Sequence, residues 1–269
     1  MIDPSAIIHP KARLGTNVSV GAYCLIEENV EVGDNCTLAS HVILRSGTTL
    51  KANVSVDSFA VIGGNPQRRD FDTSLPSQVL VGEHTVLREA VTIHRAMEEG
   101  DTTRVGSHAF LMGGSHVGHD CQVGDYVTIA NNVLLAGHVT VEDHCNLGGS
   151  AAFHQFIRVG EGAMVGGLAV VSQDIPRFSM VAERNRLVGL NLIGLKRRPF
   201  PKEVITDLKR CFHTVFNHEG PIRTLAKQAL EEDCPSTEQG QQFLRFFVDY
   251  GKKGFASPRK KLKQANNNK

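Results

Sequence analysis

Tryptophan is absent from the 269 residues, aromatic residues make up only 6%, and no Cys-x-x-Cys pair occurs among the six cysteines. Cys24, Cys36, Cys121, Cys145, Cys211 and Cys234 are scattered, so neither a Cys-based zinc site nor a disulfide-stapled secreted domain is expected, and they read as reduced, mostly buried thiols. No run of about 18 apolar residues is present, which excludes a membrane-spanning helix. The opening Met1-Ile2-Asp3-Pro4 has no basic or apolar leader segment, so the expected location is the cytoplasm. A net charge of +1 gives the chain no general attraction for polyanions, and no nucleic-acid partner is expected. Helical periodicity is missing before residue 195, which removes a doubly wound α/β fold.

What the chain does have is a period of six. An aliphatic residue returns at every sixth position from Ile2 through Ile8, Leu14, Val20, Ile26, Val32, Leu38, Leu44, Leu50 and Val56 to Ile62. A second tract holds Val81, Leu87 and Ile93, and a third runs unbroken from Val105 to Val171. Gly follows many anchors (Val20-Gly21, Val32-Gly33, Val123-Gly124), and a small or β-branched residue such as Ala6, Ala12, Val18 or Cys24 sits four positions after an anchor. Six residues make one short strand and one sharp turn, with Gly or Asn supplying backbone angles that a Cβ resists. One such unit cannot bury its apolar side alone, so units must stack around a shared core. Three units complete a triangular coil, and successive coils lie about 4.8 Å apart through parallel strand hydrogen bonds. The expectation is a mainly β fold, a parallel β-helix of hexapeptide repeats over residues 1–185. Spacing does not give the hand, because ordinary parallel crossovers are right-handed.

Two stretches break the period: Asn65 to Gln78, polar and Pro-containing, and Arg95 to Arg104, charged. Insertions in a solenoid leave the coil as loops, often on the binding face. After Gln173-Asp174-Ile175-Pro176 the period ends. Val204, Ile205, Leu208, Cys211, Phe212, Val215 and Phe216 then predict an amphipathic helix with Pro201 in its first turn and Gly220-Pro221 beyond its end. Ile222, Leu225, Ala226 and Leu230 predict a second helix. Ser236 is the expected cap of a third, which carries Phe243, Leu244, Phe246, Phe247 and Tyr250. A C-terminal α-helical domain over 186–256 and a basic, disordered tail over 257–269 follow. From Lys196 to Lys269 there are 16 Lys and Arg against 8 Asp and Glu, a net of +8 that leaves −7 for the rest. Such asymmetry suits an anionic partner for the C-terminal part, although a solvated helical surface has the same composition.

Histidine concentrates in the third tract at His116, His119, His138, His144 and His154. On an 18-residue coil, His119, Gly137 and Gln155 share one phase, and Asp120 and His138 another. His116, His119, Asp120, His138 and Gln155 should therefore converge on one strip of wall. A lone His in such a turn is usually a structural hydrogen-bonding residue, but several beside a carboxylate suggest chemistry. One reading is a metal site, since imidazole suits zinc. The other is general-base catalysis, with the carboxylate fixing the imidazole tautomer. No Ser or Cys sits in a nucleophile-elbow motif, so direct attack on a thioester is favoured over a covalent acyl-enzyme. His119 with Asp120 fits the base, and the Gly137 N–H could steady the oxyanion.

The stretch Leu111-Met112 … His116-Val117-Gly118-His119-Asp120-Cys121 … Ala130-Asn131-Asn132 … Leu135-Ala136-Gly137-His138-Val139 … His154-Gln155-Phe156 closely resembles the UDP-N-acetylglucosamine O-acyltransferases, which open lipid A biosynthesis. Arg88-Glu89 … Thr92-Ile93-His94-Arg95, Val165-Gly166-Gly167, Ser172-Gln173-Asp174-Ile175-Pro176 and Gly189-Leu190-Asn191 … Gly194-Leu195-Lys196-Arg197-Arg198 extend the resemblance over nearly the whole repeat and the first helix. It implies a left-handed coil and a homotrimer with sites between subunits. It also implies a 3-hydroxyacyl donor on acyl carrier protein, a UDP-GlcNAc acceptor and no further cofactor or metal. His119 would be the base, Asp120 its partner and Gly137 the oxyanion donor. His116, His138, His154 and Gln155 would line the sugar and acyl sites, and Gly167 would set acyl-chain length. Asn191, Arg197 and Arg198, with Gln67 and Arg69 of the first insertion, would meet the nucleotide, where a planar guanidinium suits phosphate. The basic C-terminal region would suit the acidic carrier.

This chain departs from the family pattern at Gln67-Arg68-Arg69-Asp70-Phe71, at Glu183-Arg184-Asn185-Arg186 and at Ile193, all where the acceptor nucleotide would sit. A related UDP-3-amino sugar is therefore an alternative acceptor. Two other classes are a non-catalytic trimeric solenoid and a metal-dependent hydratase of the γ-carbonic anhydrase kind. The second would need a close His-x4-His pair that is missing from the repeat region.

Overall fold

The computed structural model describes residues 1–249 and 251–258. Among them the chain winds into a triangular parallel β-helix with three walls. The first wall has nine strands, from Ile7–Ile8 to Val170–Val171. The second has eight, from Arg13–Leu14 to Arg158–Val159, and the third has ten, from Ser19–Val20 to Arg186–Leu190. Neighbouring coils pair 18 residues apart, as His116 with Leu134 and Leu134 with Ala152. The six-residue anchors face inward and build one continuous core in which Ile26, Leu44, Ile62, Leu87, Ile93, Leu111 and Ile129 are fully buried. Each contributes roughly 1.5–3 kcal/mol by leaving water. At the N-terminal end no coil lies below, so Ile2 is exposed and Ile8 and Leu14 are only partly covered. The first insertion separates Val61–Gly64 from Gln78–Val81. The second is shorter than expected, because Thr102–Val105 is already a strand.

The corners explain much of the composition. Most turns place one residue in the left-handed region, and many of these are not Gly: Asn17, Asn35 and Asn53 at one corner, Asp120, His138 and Phe156 at another. Asn and Asp tolerate that conformation, but aromatic residues are strained there. Stacking offsets part of the strain: His84, His108, Tyr126 and His144 form one ladder with ring centroids 4.8–5.0 Å apart, the coil repeat itself. His144 thus belongs to a corner ladder and not to the histidine strip.

The C-terminal part differs from expectation in four ways. Arg186–Leu190 is a strand antiparallel to Ser179–Ala182, so the helical domain begins after Leu190 and not at 186. A short helix α1 (Leu192–Arg197) precedes α2 (Lys202–Phe216), α3 (Ile222–Glu231) and α4 (Glu238–Val248). Thr237, not Ser236, caps α4, with its hydroxyl accepting from the Gly240 N–H at 3.1 Å. Ser236 is held instead through its backbone N–H by Asp207, a buried carboxylate on α2 that also accepts from the Thr237 N–H and hydroxyl. The start of the expected tail is ordered: Ser257 bridges to Arg186, just after Phe255 bridges to Asp174. The rest of that tail, 259–269, lies outside the described residues, as does Tyr250. The helices bury Leu208, Cys211, Val215, Phe243, Leu244 and Phe247 in a second core, and Phe212 and Phe216 join it to the solenoid. Among the described residues, no helix is long and apolar enough to cross a membrane.

Candidate active site

The corner between the first and second walls carries the site. The strand His116–Val117 runs into the turn Gly118 to Cys121, where Asp120 takes φ 60° and its N–H is held by the Thr103 hydroxyl at 2.7 Å. That turn projects the Asp120 carboxylate sideways against its neighbour's ring, and His119 Nδ1 lies 2.6 Å from Asp120 Oδ2. An acceptor-only carboxylate at Nδ1 fixes the proton there and leaves Nε2 as the lone-pair nitrogen. The other carboxylate oxygen accepts from the Met97 N–H at 3.3 Å. One coil on, His138 Nε2 stands 3.7 Å from Asp120 Oδ2, and its ring meets that of His119 edge to face. Burial lowers the His138 pKa, a fall that Asp120 only partly opposes.

Gly137 is required by the imidazole. A Cβ at this position would stand 2.4 Å from both Nε2 and Cε1 of His119. The glycine is buried, and among the described residues its N–H has no acceptor. On the other flank, His116 Nδ1 is 2.8 Å from the Thr92 hydroxyl, and its ring packs edge-on to His94. Burial, then the neighbouring His116 and His119, push the His94 pKa down to about 4, so this ring is neutral near pH 7. Cys121 adjoins the pair, but burial raises its thiol to about 12, too high to furnish a thiolate nucleophile. Beside the pair opens a cavity of about 310 Å³ lined by Met97, Glu98, Asp101, Thr102, Asp120, Gln122 and His138. Ligand atoms of His119, Asp120 and His138 lie within 4.8 Å of one another, so the cluster could also hold a metal ion, at the expense of the His119–Asp120 hydrogen bond.

The structure gathers His116, His119, Asp120, Gly137 and His138 at this corner. His154 and Gln155 lie one coil further, both exposed, with His154 Nδ1 3.3 Å from the Gln155 carbonyl oxygen. Asn191, Arg197 and Arg198 stand elsewhere, beyond the ladder of Tyr126 and His144 at the corner joining the second and third walls. Asn191 caps α1 by accepting from Gly194 and donates to the Gly162 carbonyl. Arg198 pairs with Glu161 at 2.6 Å, packs over Phe200 and keeps one Nη without a partner among the described residues, while Arg197 is exposed. Gln67 and Arg69 are exposed on the first insertion, where Arg68 pairs with Asp70. Gly167 is exposed at the third corner, where a Cβ would meet only the Gly149 backbone at 3.3 Å and beyond. Sequence reasoning missed His94, Met97 and Thr103. The second insertion shifts Thr92 to a 24-residue spacing from His116, so counting by eighteen passes over His94 and Met97. Thr103 keeps the 18-residue register, as Arg104 does with Gln122, and carries no side-chain chemistry that singles it out.

Six-residue repeats around a His–carboxylate pair define a hexapeptide-repeat acyltransferase. The bacterial transferase hexapeptide model matches residues 11–46 and 102–137, and the model of UDP-N-acetylglucosamine O-acyltransferase domain 2 matches 174–256. The acyl-[acyl-carrier-protein]–UDP-N-acetylglucosamine O-acyltransferase of Herminiimonas arsenicoxydans is 43% identical over 94% of this chain and 98% of its own length. That of Campylobacter concisus is 35% identical over 92% and 94%. Among solved structures, the UDP-N-acetylglucosamine acyltransferase from Campylobacter jejuni superposes with a TM-score of 0.89 at 35% identity, covering 96% of this chain and all of that one. The Francisella novicida enzyme superposes at 0.88, 31% identical over 95% and 93%. The solenoid is a left-handed parallel β-helix. The chain belongs to the UDP-N-acetylglucosamine O-acyltransferase family.

Proposed function

We propose that this chain transfers a 3-hydroxyacyl group from acyl carrier protein to the 3-hydroxyl of UDP-N-acetylglucosamine, the first step of lipid A biosynthesis, with His119 as general base. The observation that carries the reading is the 2.6 Å contact between His119 Nδ1 and Asp120, which leaves Nε2 unprotonated over the Gly137 backbone. His119 Nε2 takes the hydroxyl proton as the acceptor oxygen attacks the thioester carbonyl. Asp120 stabilises the imidazolium that forms. The Gly137 N–H, buried and unpaired, suits the oxyanion of the tetrahedral intermediate. Collapse expels the carrier thiolate, which recovers the proton from His119. No covalent acyl-enzyme or cofactor enters this scheme, and the high thiol pKa of Cys121 is consistent with that.

We further propose that the working unit is a homotrimer. The pair, the Asn191–Arg198 group and Gly167 occupy three different corners of one chain, and neighbouring copies would bring such corners together. The outer face of the first wall supports this, because Ile7, Leu134 and Val170 there are 68%, 50% and 47% exposed. The second wall instead presents Arg13, Glu31, Arg104 and Gln122. In the trimer, Arg197 and the free nitrogen of Arg198 would meet the nucleotide, with Asn191 positioning them and Gln67 and Arg69 reaching from the first insertion. His116, His138, His154 and Gln155 would line the sugar and acyl sites, and the basic C-terminal region would receive the acidic carrier in the cytoplasm. The test is a mass-spectrometric acylation assay offering carrier thioesters of several lengths to UDP-N-acetylglucosamine and to its 3-amino analogue. Product with the 3-hydroxyl acceptor that falls at least about 100-fold in His119→Ala is expected. Undiminished turnover in that variant would remove the base, and acylation of the amine alone would change the acceptor.

A further inference from the structure

The two insertions are bound together by one buried guanidinium. Arg95 begins the second insertion and is only 8% exposed. Its Nε donates to Asn65 Oδ1 at 2.9 Å, its two Nη groups donate to the Leu75 and Thr73 carbonyls, and the Phe71 ring covers it at 5.0 Å. All four partners belong to the first insertion. A fork of fixed donors satisfies three acceptors at once in a way that a flexible ammonium does not. The join continues along the backbone. The Ser77 hydroxyl donates to the Ala96 carbonyl at 2.5 Å, the Gly100 N–H to Pro76 at 3.0 Å, and the Gln78 N–H to Asp101 at 2.9 Å.

Two residues after Arg95, the same segment reaches the catalytic corner, where the Met97 N–H is the donor on Asp120 Oδ1. Met97, Glu98, Asp101 and Thr102 then form one side of the cavity beside the pair. The first insertion thus has an uninterrupted mechanical path to the carboxylate that orients His119. We propose that Arg95 is a positioning residue that couples the first insertion to the His119–Asp120 pair through the Met97 N–H. Movement of the first insertion when acceptor binds then alters the hydrogen bond on Asp120, and the pair reaches working geometry only with the loop seated. This inference rests on the catalytic role proposed for the pair. A burial-lowered Arg95 pKa accords with a guanidinium that meets carbonyls and an aromatic face in place of a carboxylate.

A double-mutant cycle tests the path. Arg95→Gln is expected to lower kcat at least 10-fold in the native background and less than 2-fold in an Asp120→Asn background, because the path then has nothing to orient. Arg95→Lys, which keeps the charge and loses the fork, guards against a folding failure in the Gln variant and should show the same pattern. Equal losses in both backgrounds, or none in the native one, overturn the coupling. Hydrogen–deuterium exchange decides it without reference to activity: the Met97 amide and the amides of 66–78 should exchange faster together in Arg95→Gln. Faster exchange in 66–78 with an unchanged Met97 overturns the proposal. Full activity of Asp120→Asn alone would instead strike the catalytic reading, and the exchange measurement would still decide the path.

Discussion

Replacing Gly137 by Ala isolates the geometry of the site from its chemistry, because the added methyl group carries no charge and no proton. Its Cβ would stand 2.4 Å from His119 Nε2 and Cε1, while ordinary contact begins at 3.4 Å. The ring must therefore retreat by about 1 Å, and an error of that size in a catalytic group costs on the order of 100-fold in rate. A 100-fold loss corresponds to about 2.7 kcal/mol of transition-state stabilisation. The retreat also strains the 2.6 Å bond to Asp120, while overpacking costs about 1–3 kcal/mol of folding stability. The backbone itself accepts alanine, since Gly137 has no left-handed φ. The assay is kcat for acylation, measured by mass spectrometry at saturating thioester, beside the thermal midpoint. In a His119→Ala background the Gly137→Ala change should lose most of its effect, because the displaced group is gone. A Gly137→Ala enzyme that turns over within about threefold of the native rate would refute the arrangement of ring over glycine.

Enlarging Gly167 to Met should shorten the preferred acyl chain by several carbons, and an unchanged profile in the thioester series would take Gly167 out of the acyl site. Placing Lys at both Leu134 and Val170 on the apolar first wall should dissociate the trimer, read by sedimentation equilibrium; a trimer that survives both charges would show that this wall is not the interface. Asp207→Ala takes the acceptor from the part-buried N–H donors of Ser236 and Thr237, at about 1 kcal/mol each, and should lower the thermal midpoint without changing kcat. Burial raises the Asp207 pKa, but donors from Thr237, Ser236 and Arg210 outweigh it and hold the carboxyl below its usual range. A depressed folded pKa gives stability that is present above the unfolded value of about 3.9 and lost as pH falls through the folded one. Acid melts of the native chain and of Asp207→Ala should therefore converge below pH 4, and a constant gap down to pH 2 would contradict this.

The walls were legible because an inward anchor every six residues is a one-dimensional pattern. Each of Ile62, Leu87, Ile129 and Val171 is buried where the period places it. The neighbours within one unbroken tract were legible for the same reason: His119 over Gly137 and Asp120 beside His138 follow from the 18-residue register. Counting stopped where the tract stopped. The second insertion moves Thr92 to a 24-residue spacing from His116, so His94 against His116 and the Met97 N–H on Asp120 could not be counted out. The short helix at Leu192 was hidden because six residues carry too little periodicity to register. Asn191 looked like a ligand for the nucleotide, but its side chain is engaged in capping that helix.

Local repetition by itself therefore determined the solenoid, its core and the pairing of imidazole with carboxylate, because each depends on residues a constant interval apart. The family likeness added the reaction. Tertiary structure alone decided which insertion braces which, since the Arg95 contacts join segments some 20–30 residues apart whose spacing obeys no period. It also decided that the Asn191 group stands at a different corner from the pair. Corner position is set by how many turns and loops intervene, and the interruptions of the repeat erase that count.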